Sequence, residues 1–365
     1  MAGCLFCKAS SPLISEALGV CAGCIKEGSE EVLSHIKAVH RTTRGLSGLP
    51  EEPPRDEGGV RCNLCVNGCI IGEGRRGYCG MRLNSGGRLL EGGNFTWYYD
   101  QLPTNCVAAW VCAATTGCGY PRYAVSRDGE WGYRNLAVLY NGGTFDCLFC
   151  QNWQWKKGVF EQRYVRSEDL ARCVDGKTSC ICFFGGDPTC QILHALRTCE
   201  AAQRMKRLPI LRICWETNGS MDKALCVKMA DVSLKTGGTV KFDLKAYTES
   251  LHIALTGVTN RRTFENFSRI GELVKKRKEP PLLAASTLLV PGYVDTEEVE
   301  AIARFIADID PDIPYSLLAF YPSHHLKDLP PTSRTHAKRC REAALSQGLR
   351  RVNVGNTHLL GDYYE

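Results

Sequence analysis

The chain has 365 residues, 44% of them hydrophobic, and a formal net charge of +6. Such a chain can bury one large core plus a small appendage, and its mild basicity falls short of the concentrated stripe expected of a nucleic-acid-binding protein. No apolar run reaches the roughly 18 residues of a membrane span, and Met1-Ala2-Gly3-Cys4-Leu5-Phe6-Cys7-Lys8 lacks the apolar core of a signal peptide, so a cytoplasmic protein with neither membrane nor nucleic-acid partners is expected.

Cysteine stands out, at 21 residues. Disulfides are rare where thiols stay reduced, so tightly spaced pairs point to metal ligation. Cys173, Cys199, Cys226 and Cys340 stand singly in helix-like segments and read as packing residues. The one dense basic run, Lys275 to Lys278 before Pro280, reads as a solvated helix end.

Taken in order, residues 1–40 carry Cys4-x2-Cys7-x13-Cys21-x2-Cys24. Two equal pairs flanking a loop have the spacing of a closed Cys4 zinc site, which stabilises a segment too small to fold on its own core. Residues 41–60 are rich in Pro, Gly, Glu and Arg and read as a linker. Residues 61–130 form a cysteine-rich leader opened by Cys62-x2-Cys65-x3-Cys69-x9-Cys79, whose thiolates suit zinc or an auxiliary iron–sulfur cluster, with zinc slightly favoured.

From residue 131 to 365, short apolar runs alternate with segments of helical period, the signature of βα units and a parallel sheet. Strands are predicted at Leu136–Tyr140, Cys180–Phe184, Leu211–Glu216, Val240–Leu244, Ala284–Val290 and Tyr315–Phe320, with Val352–Val354 as a seventh. Helices are predicted at Ser167–Val174, Gln191–Lys206, Thr263–Lys278, Glu297–Asp308 and Ser333–Gln347, with Ser167 and Thr296 as caps. Periodicity alone fits a doubly wound sheet as well as a partial barrel. The distinctive residues follow the strands, as in a barrel whose chemistry collects at the carboxyl ends.

Those residues form an ordered series. After the first strand comes Asn141-Gly142-Gly143-Thr144-Phe145-Asp146-Cys147-Leu148-Phe149-Cys150-Gln151-Asn152; after the second, Gly185-Gly186-Asp187-Pro188. The third ends in Glu216-Thr217-Asn218-Gly219, and the fourth in Asp243-Leu244-Lys245, followed by His252 and Thr256-Gly257. Leu289-Val290-Pro291-Gly292 and Phe320-Tyr321-Pro322 close the series. From about Arg61 to Leu360 the chain resembles the radical S-adenosylmethionine (SAM) proteins of the pyruvate formate-lyase activating enzyme-like branch, including the cysteine-rich leader of a subgroup.

The resemblance implies a partial (β/α)6 barrel. It also implies an oxidoreductase-type enzyme in which a [4Fe-4S] cluster reductively cleaves SAM to a 5′-deoxyadenosyl radical that abstracts hydrogen from a substrate. Glycyl-radical proteins, other proteins and small molecules all remain open as that substrate, and ferredoxin or flavodoxin is the implied electron donor. Cys147 and Cys150 would hold the cluster, and together with Lys245 they are the implied catalytic residues. Phe149, Gly185, Gly186, Asp187, Glu216, Asn218 and Asp243 would bind the cosubstrate.

One departure strikes the cluster itself. The family motif is C-x3-C-x2-C, and its first position falls on Gly143, which offers no ligand atom. Cys106, Cys112 or Cys118 could supply the missing thiolate. The alternative is a catalytically impaired relative that acts as a SAM-binding or zinc-stabilised interaction module, and a third reading makes Gly143 a variant or an inactivating substitution.

Overall fold

The computed structural model describes residues 2–101, 106–161, 163–205 and 207–365. Thr104 and Asn105 of the leader, and Lys206, the expected end of a helix, lie outside the described residues.

Two helices precede the barrel, α1 (Ala22–Glu27) and α2 (Glu30–Gly45), the second capped by the Ser29 hydroxyl, which accepts from the Val32 amide. The loop-rich leader follows, and then strand β1 (Phe95–Asp100). The remaining elements alternate: β2 (Arg134–Tyr140), α3 (Ser167–Ala171), β3 (Thr178–Gly185), α4 (Ile192–Met205), β4 (Arg212–Thr217) and α5 (Lys223–Thr236). They continue with β5 (Val240–Asp243), α6 (Glu249–Thr256), α7 (Arg261–Gly271), β6 (Leu283–Leu289), α8 (Thr296–Ile309), β7 (Tyr315–Ala319), α9 (Arg334–Ser346) and β8 (Val352–Gly355).

The eight strands form one sheet in chain order, β1 to β8, with β1 antiparallel to β2 and every other pairing parallel. A doubly wound sheet would reverse its strand order at a switch point. Sequential order without reversal, and without pairing of β1 to β8, is that of an incomplete barrel, and it decides what periodicity left open.

Alternation along the strands separates two faces. Ile181, Phe183, Ile213 and Trp215 pack outward in the main core with Ala195, Cys199 and Cys226 of the helices. Cys180, Cys182, Cys214 and Phe184 form a separate cluster on the inner face. Cys199, Cys226 and Cys340 are buried in the main core and Cys173 packs against it, as the packing assignment requires.

Several expectations shift. Helix α2 runs to Gly45, across the expected boundary between residues 40 and 41, because its His40, Thr43 and Arg44 are buried against the barrel. Strand β1 and helix α5 escaped the sequence reading: β1 alternates only weakly at a sheet edge, and α5 has apolar residues on several sides. The Thr263–Lys278 helix ends at Gly271 and continues as a separate turn. Asp295, not Thr296, caps α8, and the Ser167 hydroxyl donates to the His194 carbonyl instead of capping α3.

Candidate cluster loop and cysteine sites

The loop after β2 is held from several sides. The buried Asp146, next to Cys147, accepts hydrogen bonds from Lys156 Nζ at 2.6 Å and Thr43 Oγ1 at 2.9 Å, with His40 Nδ1 at 2.9 Å and Arg44 Nη1 at 3.6 Å. Burial alone would raise this carboxyl, but His40, Lys156 and Arg44 outweigh it and hold it well below the usual range. Arg44 also stacks on the Tyr78 ring, 3.4 Å from its centroid, tying α2, leader and cluster loop together.

The cluster loop and the Gly185-Gly186 turn share one mouth. The Gly186 amide donates to the Tyr140 carbonyl at 2.9 Å and the Asp187 amide to the Gly142 carbonyl at 2.9 Å, while Asn152 Nδ2 reaches the Gly185 carbonyl at 3.1 Å. A Cβ at Gly186 would meet the Gly142 oxygen at 2.1 Å, and one at Gly185, where φ is +112°, would meet the Tyr140 backbone at 2.6 Å. Close approach of the two main chains therefore already requires both glycines.

Cys147 and Cys150 converge here with Lys245, whose ammonium pairs with Asp243 and sits 5.2 Å from the Phe149 ring centroid. Burial pushes the Cys147 thiol up to about 12 and raises Cys150, with Lys245 opposing both. Asp243 Oδ1 is buried without a hydrogen-bond partner, an acceptor left over for a ligand's donor.

The other expected cosubstrate residues are partly committed to the fold. Asp187 accepts from the Thr189 amide at 2.7 Å, the Asn218 amide at 2.7 Å and Thr217 Oγ1 at 3.1 Å, joining the ends of β3 and β4. The Asn218 amide group donates to Thr144 Oγ1 at 2.7 Å. Glu216 lies deeper in the barrel, 3.1 Å from Lys241 Nζ.

At position 143 the gap in the motif is filled by a ring. A Cβ built on Gly143 would meet Trp155 Cζ2 at 2.6 Å and Cε2 at 2.9 Å, and Trp155 is buried. Two thiols of the three are thus present, so the donor set fits the family's cluster incompletely. The three proposed substitutes sit elsewhere: Cys106 accepts from Lys241 Nζ at 3.1 Å, Cys118 donates to the Val111 carbonyl at 3.2 Å, and Cys112 is buried in the turn between them. Leader and barrel thiols do reach the cluster loop: Cys79 and Cys190 pack with Cys150, Met81 and Trp155, and Cys62 and Cys69 cluster with Phe145 and Cys147. A Cβ at Gly142 would lie 3.3 Å from Cys190 Cβ. Sequence spacing gave no sign of Cys190, because its partner lies in the leader.

At the amino terminus, Cys4 and Cys24 Sγ are 3.8 Å apart and Cys7 and Cys21 Sγ 3.7 Å. All four sulfurs fall within 4.8 Å of one another. A tetrahedron with metal–sulfur bonds of about 2.3 Å has edges of about 3.8 Å, so this site has the dimensions of a closed tetrathiolate. Cys62, Cys65, Cys69 and Cys79 behave differently: among the described residues no three of them converge to 4.8 Å, and they line a cavity together with Cys190 and Arg82. A hydrogen bond from the Cys190 thiol lowers Cys79 to about 6.

Comparison with known proteins matches residues 137–306 to the radical SAM superfamily model. The chain carries a radical SAM domain. The domain begins in β2 and ends in α8, and so contains the cluster loop, the Gly-Gly turn and Lys245. An uncharacterized protein of Methanocaldococcus jannaschii is 25% identical over 82% of this chain and 82% of its own length. A second protein of that organism, provisionally named a glycyl-radical enzyme activating enzyme, is 27% identical over 51% of this chain and 67% of its own. The isethionate sulfite-lyase activating enzyme of Oleidesulfovibrio alaskensis is 31% identical over 38% of this chain and 40% of its own. Among solved structures, Streptococcus suis SuiB bound to precursor peptide SuiA aligns with a TM-score of 0.46 at 13% identity. That alignment covers 60% of this chain and about half, 47%, of SuiB. Among the described residues no helix is long and apolar enough to cross a membrane.

Proposed function

We propose that this protein is a radical SAM enzyme of the activating-enzyme branch, acting by hydrogen abstraction on a protein or small-molecule substrate and supplied with electrons by a ferredoxin- or flavodoxin-type donor in the cytoplasm. The observation that carries this reading is the single mouth at which Cys147, Cys150, Lys245 and the unpartnered Asp243 oxygen meet the Gly185-Gly186 turn. The name of one relative, provisionally a glycyl-radical enzyme activating enzyme, adds support for a glycyl-radical protein as substrate. Within that mouth Lys245 places positive charge beside the two thiols, and Asp243 holds the ammonium in place. The amino-terminal tetrathiolate is read as a structural zinc site on its edge lengths, and the wider leader set as the seat of an auxiliary cluster.

A second reading is favoured by Trp155. Its indole occupies the space beside Gly143, as expected of a relative that has lost cluster chemistry and keeps the barrel as a SAM-binding or interaction module. Anaerobic reconstitution with iron and sulfide, followed by iron counts, the cluster's spin-resonance signal and 5′-deoxyadenosine formation from SAM, separates the two. The enzyme reading expects SAM-dependent 5′-deoxyadenosine from the unmodified chain, and SAM binding without any cleavage would establish the second.

A further inference from the structure

On the inner face of the barrel, away from the mouth, β3 and β4 build a three-thiol site that the radical SAM chemistry does not use. Cys180 and Cys182 stand two residues apart on β3 and so project to the same face, and Cys214 of β4 is paired in register with Cys182. Cys180 Sγ lies 3.7 Å from Cys182 Sγ and 3.6 Å from Cys214 Sγ, and the three sulfurs are within 4.8 Å of one another. These separations match those of the amino-terminal tetrathiolate, at 3.7 and 3.8 Å. All three residues are buried.

The surroundings are partly polar, unlike those of a wholly apolar core. Beneath the triad, Arg212 is neutralised by Glu130, with Nη1 to Oε1 at 2.6 Å, so that charge is already spent. Above it, Cys182 borders a small cavity shared with Cys106, Asn135, Phe184, Glu216 and Lys241. Three protein thiolates with a fourth position facing such a cavity is the arrangement of an open metal site, in contrast to the closed set at the amino terminus.

We propose that Cys180, Cys182 and Cys214 bind a thiophilic divalent ion of the zinc class inside the barrel, with its fourth position open toward Lys241 and available to an anionic ligand. Binding displaces the three thiol protons to solvent and involves no change of oxidation state. The site stands whether or not the mouth performs radical chemistry, because none of its ligands belongs to the cluster loop or the Gly-Gly turn.

The test is zinc content of the full chain, purified reduced and iron-free, compared with Cys182→Ala and Cys214→Ala. Each variant is expected to lose one equivalent of zinc relative to the unmodified chain while keeping its circular dichroism spectrum and the zinc lost on Cys7→Ser. Should either variant fold poorly, alkylation of the unmodified chain read by mass spectrometry replaces it: zinc is expected to slow labelling of these three cysteines, and a chelator to restore it. Unchanged zinc content in folded variants, or labelling indifferent to zinc, would overturn the proposal.

Discussion

Restoring the family's missing ligand, Gly143→Cys, is predicted to be costly before it is useful. Gly143 is not among the glycines with positive φ, so its backbone accepts a side chain. Its neighbour does not: Trp155 carbons would lie 2.6, 2.9 and 3.1 Å from the new Cβ. Trp155 has little room to retreat, since the same ring lies 3.0 Å from a Cβ built on Gly186 and packs with Leu49, Met81 and Val159. Overpacking of this kind costs about 1–3 kcal/mol. At about 2–4 °C per kcal/mol, the metal-free variant should melt roughly 2–12 °C below the parent. Trp155→Leu frees the space at the expense of buried area, so Gly143→Cys should cost much less in that background than alone, a non-additivity that a double-mutant cycle reads directly. After anaerobic reconstitution, iron per chain should rise from the parent to Gly143→Cys and again to the double variant. Additive melting shifts, or a Gly143→Cys chain that melts at the parent's temperature, would show that Trp155 does not fill the ligand's place.

Three other expectations follow from the same geometry. Cys7→Ser should release one zinc and make residues before Ser29 protease-sensitive, because the tetrathiolate positions α1, whose Lys26 reaches Asp295 at 3.1 Å; zinc counts and limited proteolysis check this. Asp146→Asn should destabilise the fold by about 3–5 kcal/mol in chemical denaturation, since it strands buried Lys156 and Arg44. The Asp146 carboxyl is depressed in the folded state, so its contribution is complete above the unfolded value of about 3.9 and drains away as pH falls below it, and Asp146→Asn should flatten that acid limb. Cys190→Ser should reduce iron retained by the reconstituted parent chain while sparing the zinc site at Cys4, Cys7, Cys21 and Cys24.

The barrel was legible because its evidence is local. Each of the strands from β2 to β8 is a short apolar run, and the motif residues follow directly on strand ends, so Cys147, Gly185, Asn218 and Lys245 could be placed without coordinates. The amino-terminal tetrathiolate was legible for the same reason, as two equal pairs in one short segment. What spacing could not express is contact between distant segments. Asp146 reads as an unremarkable residue between Phe145 and Cys147, yet it anchors a helix 100 residues upstream through His40, 106 positions away. The α2 end looked like linker because Arg41, Arg44 and Gly45 are polar or flexible in composition, and only the barrel makes Arg44 a core residue. Likewise Cys180, Cys182 and Cys214 read as scattered strand residues until parallel pairing puts two strands side by side.

The same limit governs the missing ligand. Substitutes chosen by nearness in sequence, Cys106, Cys112 and Cys118, are carried by the segment before β2 onto the inner face, where Trp110 donates to Ser316 Oγ at 2.9 Å and fixes it away from the cluster loop. The leader instead folds over the mouth: Asn67 Nδ2 donates to the Thr144 carbonyl at 2.8 Å, and the Val66 amide to the Ser220 carbonyl at 2.9 Å. That stitching brings Cys79 against Cys190 and both against the back of Gly142. The absence of a thiol at 143 thus coincides with a thiol at 190 facing the leader, and with a Cys79 that the Cys190 hydrogen bond lowers to about 6. Thiolate character, not mere proximity, is what an iron centre selects. On the leader side of the loop it is Cys79 that carries this character, whereas burial pushes its partner Cys190 well above the ordinary thiol value.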